Sequence, residues 1–273
     1  MTEYNPDQMP EGWSNIATVY ERAFEKLTLQ FSVEALNQLE LKPGERVLDV
    51  AAGTGSFALA AARAGGNVLA IDFAPGMVER LRERIDSEGL SNIAADVMDG
   101  QNLEISDSFC DVAASIVGVI FFPDIAKGLS ELKRVLKPSG RCAVVCWGDP
   151  EKFEMMGYLK KAIELAVPEF EMPEQKPVWA RLCGHEQLKT EMMDAGFKNV
   201  RVTSMMGKLE IESPEEFWED FTCSAPPMAK LFASLGSENT KKAGEKFVEL
   251  VSDNFKSEMP FATSEACIGI GTA

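Results

Sequence analysis

The chain has 273 residues, of which 45% are hydrophobic and 26% are charged, and its formal net charge is −16 at pH 7. This composition excludes wholesale disorder and offers no membrane span, so we expect a soluble globular protein. The 43 acidic residues outnumber the 27 basic ones, which argues against a nucleic-acid partner because phosphate backbones would be repelled. The N-terminus shows no basic stretch followed by an apolar core, and we expect a cytoplasmic protein.

Cysteine and histidine usage argues against a metal site. The six cysteines form no C-x-x-C pair, and two of them lie in predicted buried strands, so we interpret them as reduced core residues. His185 is the single histidine. A His-rich metal site therefore cannot be built, and we expect no metal cofactor.

Apolar spacing of three and four residues predicts an amphipathic helix over residues 14–39, ahead of the first strand. Strands and helices then alternate, with helices after the glycine turn at residue 55, from Pro75, over 123–136 and over 184–197. The predicted strands cover residues 46–51, 67–71, 93–95, 109–119, 141–147, 199–206 and 262–271. This alternation predicts an α/β fold with a doubly wound parallel sheet.

Two stretches fall outside the alternation and predict helical caps. They cover residues 149–183 and 211–261, and the second opens with a helix N-terminal signature at Ser213-Pro214-Glu215-Glu216. We find no internal repeat and no long linker. We therefore expect one domain over residues 1–273, with a core of residues 40–148, 184–210 and 262–273.

A glycine turn after the first strand predicts a nucleotide-type ligand site. In Asp49-Val-Ala-Ala-Gly53-Thr-Gly55, the glycines allow a tight turn, and the following helix offers free N–H groups to an anion. The spacing also fits the dinucleotide fingerprint, with Asp72 placed 17 residues after Gly55. A NAD-dependent dehydrogenase is therefore one alternative.

The surrounding acids favour a different ligand. Asp49 lies inside the first strand, and Asp72 and Asp96 end the second and third. Carboxylates at neighbouring strand ends can bind hydroxyl and amino groups of an adenosyl ligand. The same carboxylates would repel the negative charge of a pyrophosphate. The pattern favours an adenosyl sulfonium.

Five motifs, in order, resemble those of the class I S-adenosylmethionine (SAM)-dependent methyltransferases, in particular the group with ubiquinone and menaquinone C-methyltransferases and many small-molecule enzymes. The resemblance covers Trp13 to Trp147. The motifs are Val47–Gly55, Leu69–Met77, Ala95–Val97, Phe109–Val112 and Leu132–Arg141. The resemblance implies a Rossmann-like, doubly wound, seven-stranded sheet, mostly parallel with an antiparallel last strand and helices on both faces.

The same resemblance implies SAM as the cofactor. It assigns the methionine portion to Gly53 and Gly55, the ribose hydroxyls to Asp72, adenine packing to Met77 and the adenine amino group to Asp96. The full set of implied cofactor residues is Trp13, Tyr20, Ala51, Gly53, Thr54, Gly55, Asp72, Phe73, Met77, Asp96, Val97, Ser115 and Ile116.

Ligands of open parallel sheets bind beyond the carboxyl ends of the strands, which places the acceptor under the caps. The candidate acceptor-pocket residues are Gly118, Phe121, Trp147, Trp179 and Trp218. Methyl transfer from SAM needs mainly positioning and exclusion of water, so the sequence identifies no catalytic residue. Should the acceptor need a general base, the candidates are His185, Tyr20 and Glu171.

The leading hypothesis is a methyltransferase that acts on an O, N or S atom of a small metabolite. Three alternatives stay open: C-methylation in quinone biosynthesis, a SAM-binding protein without transfer activity, and the dehydrogenase. The sequence leaves the oligomeric state undetermined.

Overall fold

The computed structural model describes residues 8–173, 177–255 and 259–273. Its centre is one seven-stranded sheet. The strands β1 to β7 are Arg46–Val50, Asn67–Asp72, Ile93–Val97, Cys110–Ile116, Leu136–Trp147, Lys198–Glu210 and Phe261–Thr272. They lie in the order β3-β2-β1-β4-β5-β7-β6.

The strand pairing confirms the expected fold class. β3, β2, β1, β4 and β5 pair in parallel, while β7 is antiparallel to both β5 and β6, between which it lies. The central strands are nearly continuous apolar runs because helices cover both of their faces. In β1, for example, only Arg46 is exposed.

Ten α-helices surround this sheet in the described ranges. Helices α1 to α10 are Pro10–Ser14, Ala17–Leu39, Ser56–Arg63, Pro75–Glu88, Ile125–Arg134, Glu154–Ala166, His185–Asp194, Pro214–Thr222, Pro226–Leu235 and Ser237–Phe255. α6 follows β5, and α8 to α10 lie between β6 and β7, so both predicted caps are helical. Buried residues of α2, the sheet and the caps belong to one hydrophobic cluster.

Several predicted boundaries were wrong, and one short helix was missed. The Lys137–Gly140 stretch does not separate a helix from a strand, because β5 already begins at Leu136 and absorbs the turn as an irregularity, with Ser139 at φ 64°. The strand predicted up to Val119 ends at Ile116, and a 3₁₀ turn follows over Val119–Phe121. The short helix α1 went unnoticed because five residues carry too little periodicity.

Candidate functional site

A cavity of about 600 Å³ lies beyond the carboxyl ends of β1 to β4. We call it the cofactor cavity. Of the predicted cofactor residues, those that line it are Trp13, Tyr20, Ala51, Gly53, Asp72, Phe73, Met77, Val97 and Ile116. The predicted acceptor residues Gly118 and Phe121 line it as well. The strand-end principle and the glycine turn therefore point to the same cavity.

The glycine turn is held in an unusual backbone conformation and tied to the neighbouring strand. Ala51, Gly53 and Gly55 have φ values of 57°, 56° and 98°. The Gly53 N–H donates to Oδ2 of Asp72 over 2.8 Å. A Cβ at Gly55 would lie 2.3 Å from the Leu81 side chain, so that position requires glycine for space as well as for its positive φ.

Asp72 combines a structural bond with a position on the cavity wall. Its Oδ1 accepts from the Ala74 N–H over 2.9 Å, while Oδ2 holds Gly53. Burial raises the pKa of Asp72 to about 6, and these backbone donors limit the rise. Each oxygen retains a further lone pair for a ligand hydroxyl.

Asp49 is a buried acid whose two carboxylate oxygens find no hydrogen-bond partner of good geometry in the described ranges. It is 1% exposed and contributes to the cavity wall. Burial raises its pKa to about 8, and the nearby amide of Ala58 opposes the rise. A buried unpaired acid is unfavourable, so a cationic ligand group at this position would satisfy it.

Asp96 does not stand where the resemblance implied. Its side chain is 64% exposed and pairs with Arg82 over 3.1 Å, and it is absent from the cavity wall. Asp99, three residues later, lines the cavity and accepts from the Gln101 N–H over 2.8 Å. The alternation of side chains along β3 turns Asp96 away from the cavity, and Asp99 lies on the cavity wall just after the strand ends at Val97.

Three more of the predicted cofactor residues lie outside the cavity wall: Thr54, Gly55 and Ser115. Ser115 is buried, and its hydroxyl accepts from the Val119 N–H over 3.1 Å, which holds the 3₁₀ turn after β4. Thr54 is buried, and its carbonyl accepts from Arg84 over 2.8 Å. Both residues hold loops that border the cavity without lining it themselves.

A polar network at the base of the cavity was missed by sequence reasoning. Thr28 of α2 and Ser56 of α3 line the wall, and their hydroxyls lie 2.8 Å apart. Ser56 also donates to Glu25, which pairs with Arg84 over 2.7 Å. The pattern of α2 identified its apolar face but gave no sign of polar residues grouped across two helices.

The N-terminal segment covers one side of the cavity with aromatic rings. Trp13 packs edge-on against Tyr20 and Phe121, with ring centroids 6.0 and 5.1 Å apart. Gly76 allows this arrangement, because a Cβ there would lie 2.4 Å from the carbonyl oxygen of Ser14. Its N–H also donates to the Ser14 hydroxyl over 3.1 Å.

A second, smaller cavity adjoins the first, and we call it the aromatic chamber. Eight of its thirteen wall residues are aromatic, and four of the thirteen are shared with the cofactor cavity. The wall consists of Trp13, Tyr20, Phe24, Val117, Phe121, Trp147, Phe153, Met156, Trp179, Phe221, Ala225, Pro227 and Met228. The chamber contains Trp147 and Trp179 from the predicted acceptor set.

Trp218, also in that set, is part of neither wall. Its ring packs 5.2 Å from those of Phe232 and Phe247, and its indole closes on Gly244 of α10. α8 turns this tryptophan between the cap helices, away from both cavity walls. Trp218 therefore packs the cap.

The general-base candidates are separated by the fold. His185 lies at the start of α7, with Nε2 2.7 Å from the Ser204 hydroxyl, and it lines neither cavity. Glu171 is exposed and also absent from both walls. Tyr20 lines both. Desolvation, with smaller effects of Glu25 and Asp72, raises the pKa of Tyr20, so its hydroxyl stays protonated at neutral pH.

All six cysteines are free thiols. In the described part of the chain, no group of His, Cys, Asp and Glu side chains is arranged to hold a metal ion. No helix there is long and apolar enough to cross a bilayer.

Comparison with known proteins decides the family. A methyltransferase domain family matches residues 47–140. A demethylmenaquinone methyltransferase of Bacteroides fragilis is 30% identical over 169 residues, which are 59% of this chain and 69% of that protein. The chain belongs to the class I SAM-dependent methyltransferases. Membership confirms the resemblance of the five motifs and, with it, SAM as the cofactor.

Two further similarities mark how far this family assignment extends. An uncharacterised protein of Mycobacterium tuberculosis is 38% identical over 105 residues, which cover only 38% of either chain. The phosphoethanolamine N-methyltransferase 2 of Haemonchus contortus, solved with SAM, superposes with a TM-score of 0.57 at 17% identity, over 95% of this chain and 57% of that one. The likeness to the Mycobacterium tuberculosis protein is confined to 105 residues of this chain. The likeness to the Haemonchus contortus enzyme shows the fold alone.

Proposed function

We propose that this methyltransferase transfers the methyl group of SAM to an O, N or S atom of a small molecule. The observation that carries the proposal is the unpaired, buried Asp49 beside Asp72 on one wall of a cavity at the glycine turn. When bound, SAM supplies a methyl group on a positively charged sulfur. The protein then needs to orient an acceptor and exclude water.

The chain's own residues fit the parts of this cofactor. Asp49 offers a carboxylate to the ammonium group, and Asp72 offers free lone pairs to the ribose hydroxyls. Asp99 takes the place of Asp96 as the acid for the adenine amino group, and Val97 and Met77 supply apolar wall on that side. Thr28 and Ser56 add a pair of hydroxyl groups to the cavity wall.

We place the acceptor where the cofactor cavity meets the aromatic chamber, whose own volume is only about 50 Å³. Both cavities share the wall residues Trp13, Tyr20, Val117 and Phe121, so an acceptor at this boundary faces the cofactor directly. We also propose that cap and core act as one domain, since the chamber draws its wall from α1, α2, β5 and the cap segments.

The test is methyl transfer from SAM labelled in the methyl group to panels of small amines, thiols, phenols and quinols, with products identified by mass spectrometry. The proposal predicts transfer to at least one O, N or S acceptor and none in the Asp72→Ala variant. SAM binding without transfer to any panel would favour a non-catalytic SAM-binding protein.

The relative from Bacteroides fragilis gives one reason to test a second candidate. Its name describes methylation of demethylmenaquinone, so transfer to a ring carbon belongs in the same assay. A demethylated quinol as the preferred acceptor would replace our proposal with C-methylation.

A further inference from the structure

Two cysteines face each other across the strands β5 and β7, and neither of them lines either cavity. Cys146 and Cys267 are direct partners in the antiparallel register. Two positions along the same ladder, the Gly148 N–H donates to the Glu265 carbonyl over 2.7 Å. Because hydrogen-bonded pairs alternate along such a ladder, the two cysteines form one as well, with Cα atoms about 5.5 Å apart. Disulfides commonly span this separation.

The two sulfurs also share a proton donor. Directly opposed side chains of an antiparallel pair lie on the same face of the sheet. The Cys146 thiol lies 3.1 Å from the Leu182 carbonyl, to which it donates. Its hydrogen bond to Cys267, together with the Gly184 N–H and His185, lowers the pKa of Cys267, although burial opposes the shift. Cys267 is therefore the sulfur of the pair that ionises more readily, and the thiolate is the form that oxidants attack.

A second pair of buried cysteines lacks both features. Cys110 and Cys142 lie on the neighbouring strands β4 and β5, but the partner of Cys142 across the ladder is Ala113. Desolvation raises the pKa of both thiols. Cys110 and Cys142 are therefore neither in register nor ionised, and the molecule contains its own control for the pair on β5 and β7.

We propose that Cys146 and Cys267 are a modification site, at which a hydroperoxide forms a reversible disulfide between β5 and β7. The Cys267 thiolate attacks one oxygen of hydrogen peroxide, the O–O bond breaks, hydroxide leaves, and a sulfenic acid remains. The Cys146 sulfur then attacks the Cys267 sulfur, and water leaves with the proton of the Cys146 thiol. Two thiols are oxidised and the peroxide is reduced. Because both side chains are buried, the oxidant has to be small.

The disulfide changes the contact between β5 and the segment that precedes α7. A disulfide sulfur has no proton to donate, so the Leu182 carbonyl loses its donor. Leu182 is buried, and a buried carbonyl without a donor is unfavourable. The same segment carries Trp179 of the aromatic chamber and Arg181, which donates to the Phe122 carbonyl over 2.5 Å. Oxidation therefore loosens a segment that contributes to the chamber wall.

The disulfide is tested by exposing the intact protein to hydrogen peroxide and alkylating the remaining thiols in denaturant. Peptide mass spectrometry should find Cys146 linked to Cys267, with Cys110 and Cys142 alkylated. Dithiothreitol should restore the two linked thiols. Alkylation of Cys146 and Cys267 to the same extent as Cys110 and Cys142 would overturn the proposal, and so would a link from either of them to Cys183.

Cys267→Ser is the matched variant, since it keeps the Cys146 thiol and its bond to Leu182 but cannot form the disulfide. Its Cys146 should stay reduced under the same treatment. In protein saturated with S-adenosylhomocysteine, the demethylated cofactor, the backbone amides of residues 180–184 should exchange hydrogen about 5-fold faster in the oxidised wild type than in the treated variant. Equal exchange would refute the loosening of this segment. Oxidation of Cys146 in the variant at the wild-type rate would refute the pair.

Discussion

The cofactor cavity and the aromatic chamber share four wall residues, yet different kinds of groups form the rest of their walls. The cofactor cavity is formed by backbone turns and strand-end acids, with Asp72 bonded to the N–H groups of Gly53 and Ala74. The chamber is formed by rings from distant parts of the chain, such as Phe24 and Trp179. Polar, backbone-held walls recognise one fixed cofactor, whereas packed rings select by shape and charge.

Replacement of Asp72 should produce the largest effect on the cofactor side of this contrast. Asp72→Ala removes both the brace on the glycine turn and the proposed ribose contact, and we expect affinity for S-adenosylhomocysteine to fall about 100-fold or more. Asp96→Ala is the matched control, because Asp96 pairs with exposed Arg82. Calorimetry should show a change below about 2-fold for it. Equal losses in the two variants would contradict the placement of the site.

The acid inside β1 should make stability depend on pH. The folded pKa of Asp49, about 8, lies above its usual 3.8, so its contribution is most favourable below pH 4 and is lost as the pH rises towards 8. Relative to Asp49→Asn, the wild type should lose about 2.5 kcal/mol of unfolding free energy between pH 5 and pH 7. Urea denaturation at both pH values measures this. Parallel pH profiles would show that Asp49 is not desolvated.

The cap tryptophan outside the chamber should affect stability and not binding. Trp218→Leu leaves space between Phe232 and Phe247, and we expect a loss of about 1.5 kcal/mol in unfolding free energy. Affinity for S-adenosylhomocysteine should be unchanged. If the variant had normal stability but bound the acceptor more weakly, Trp218 would belong to the acceptor site.

The smallest expected effect concerns the aromatic cover over the cofactor cavity. Gly76→Ala places a methyl group against the Ser14 carbonyl and should displace α1 with Trp13, weakening cofactor binding by about 3-fold. Gly89→Ala, at the other end of α4, meets no atom within 4 Å and strains only its own φ of 65°. It should lower stability without changing affinity. Fluorescence titration of both variants compares them.

The sequence brought most of the predicted cofactor residues to one cavity because its signals are local. A glycine turn after a buried strand and an acid at the end of the next one require only strand order to meet. Asp96 lies off the cavity wall because the face on which a strand-end side chain emerges depends on the last residue of β3 and on its pairing with Arg82. Asp99 carried no separate signal, since it lies in the irregular segment after β3.

The acceptor half was only partly predictable for a different reason. Trp147, Trp179 and Trp218 all fall near or inside cap segments, and each is apolar enough for a core or a pocket. Tertiary packing of α8 against α10 turns Trp218 away, whereas the stack of Trp147 on Phe153 leaves both on the chamber wall. A composition rich in rings predicts an apolar pocket without naming its members.

The central claim, that the glycine turn and the strand-end acids bind an adenosyl sulfonium cofactor, is tested most directly by calorimetric titration of the intact protein with S-adenosylhomocysteine and, separately, with NAD. The account predicts saturable, one-to-one binding of S-adenosylhomocysteine and no heat of binding for NAD. Binding of NAD with no response to S-adenosylhomocysteine would contradict it.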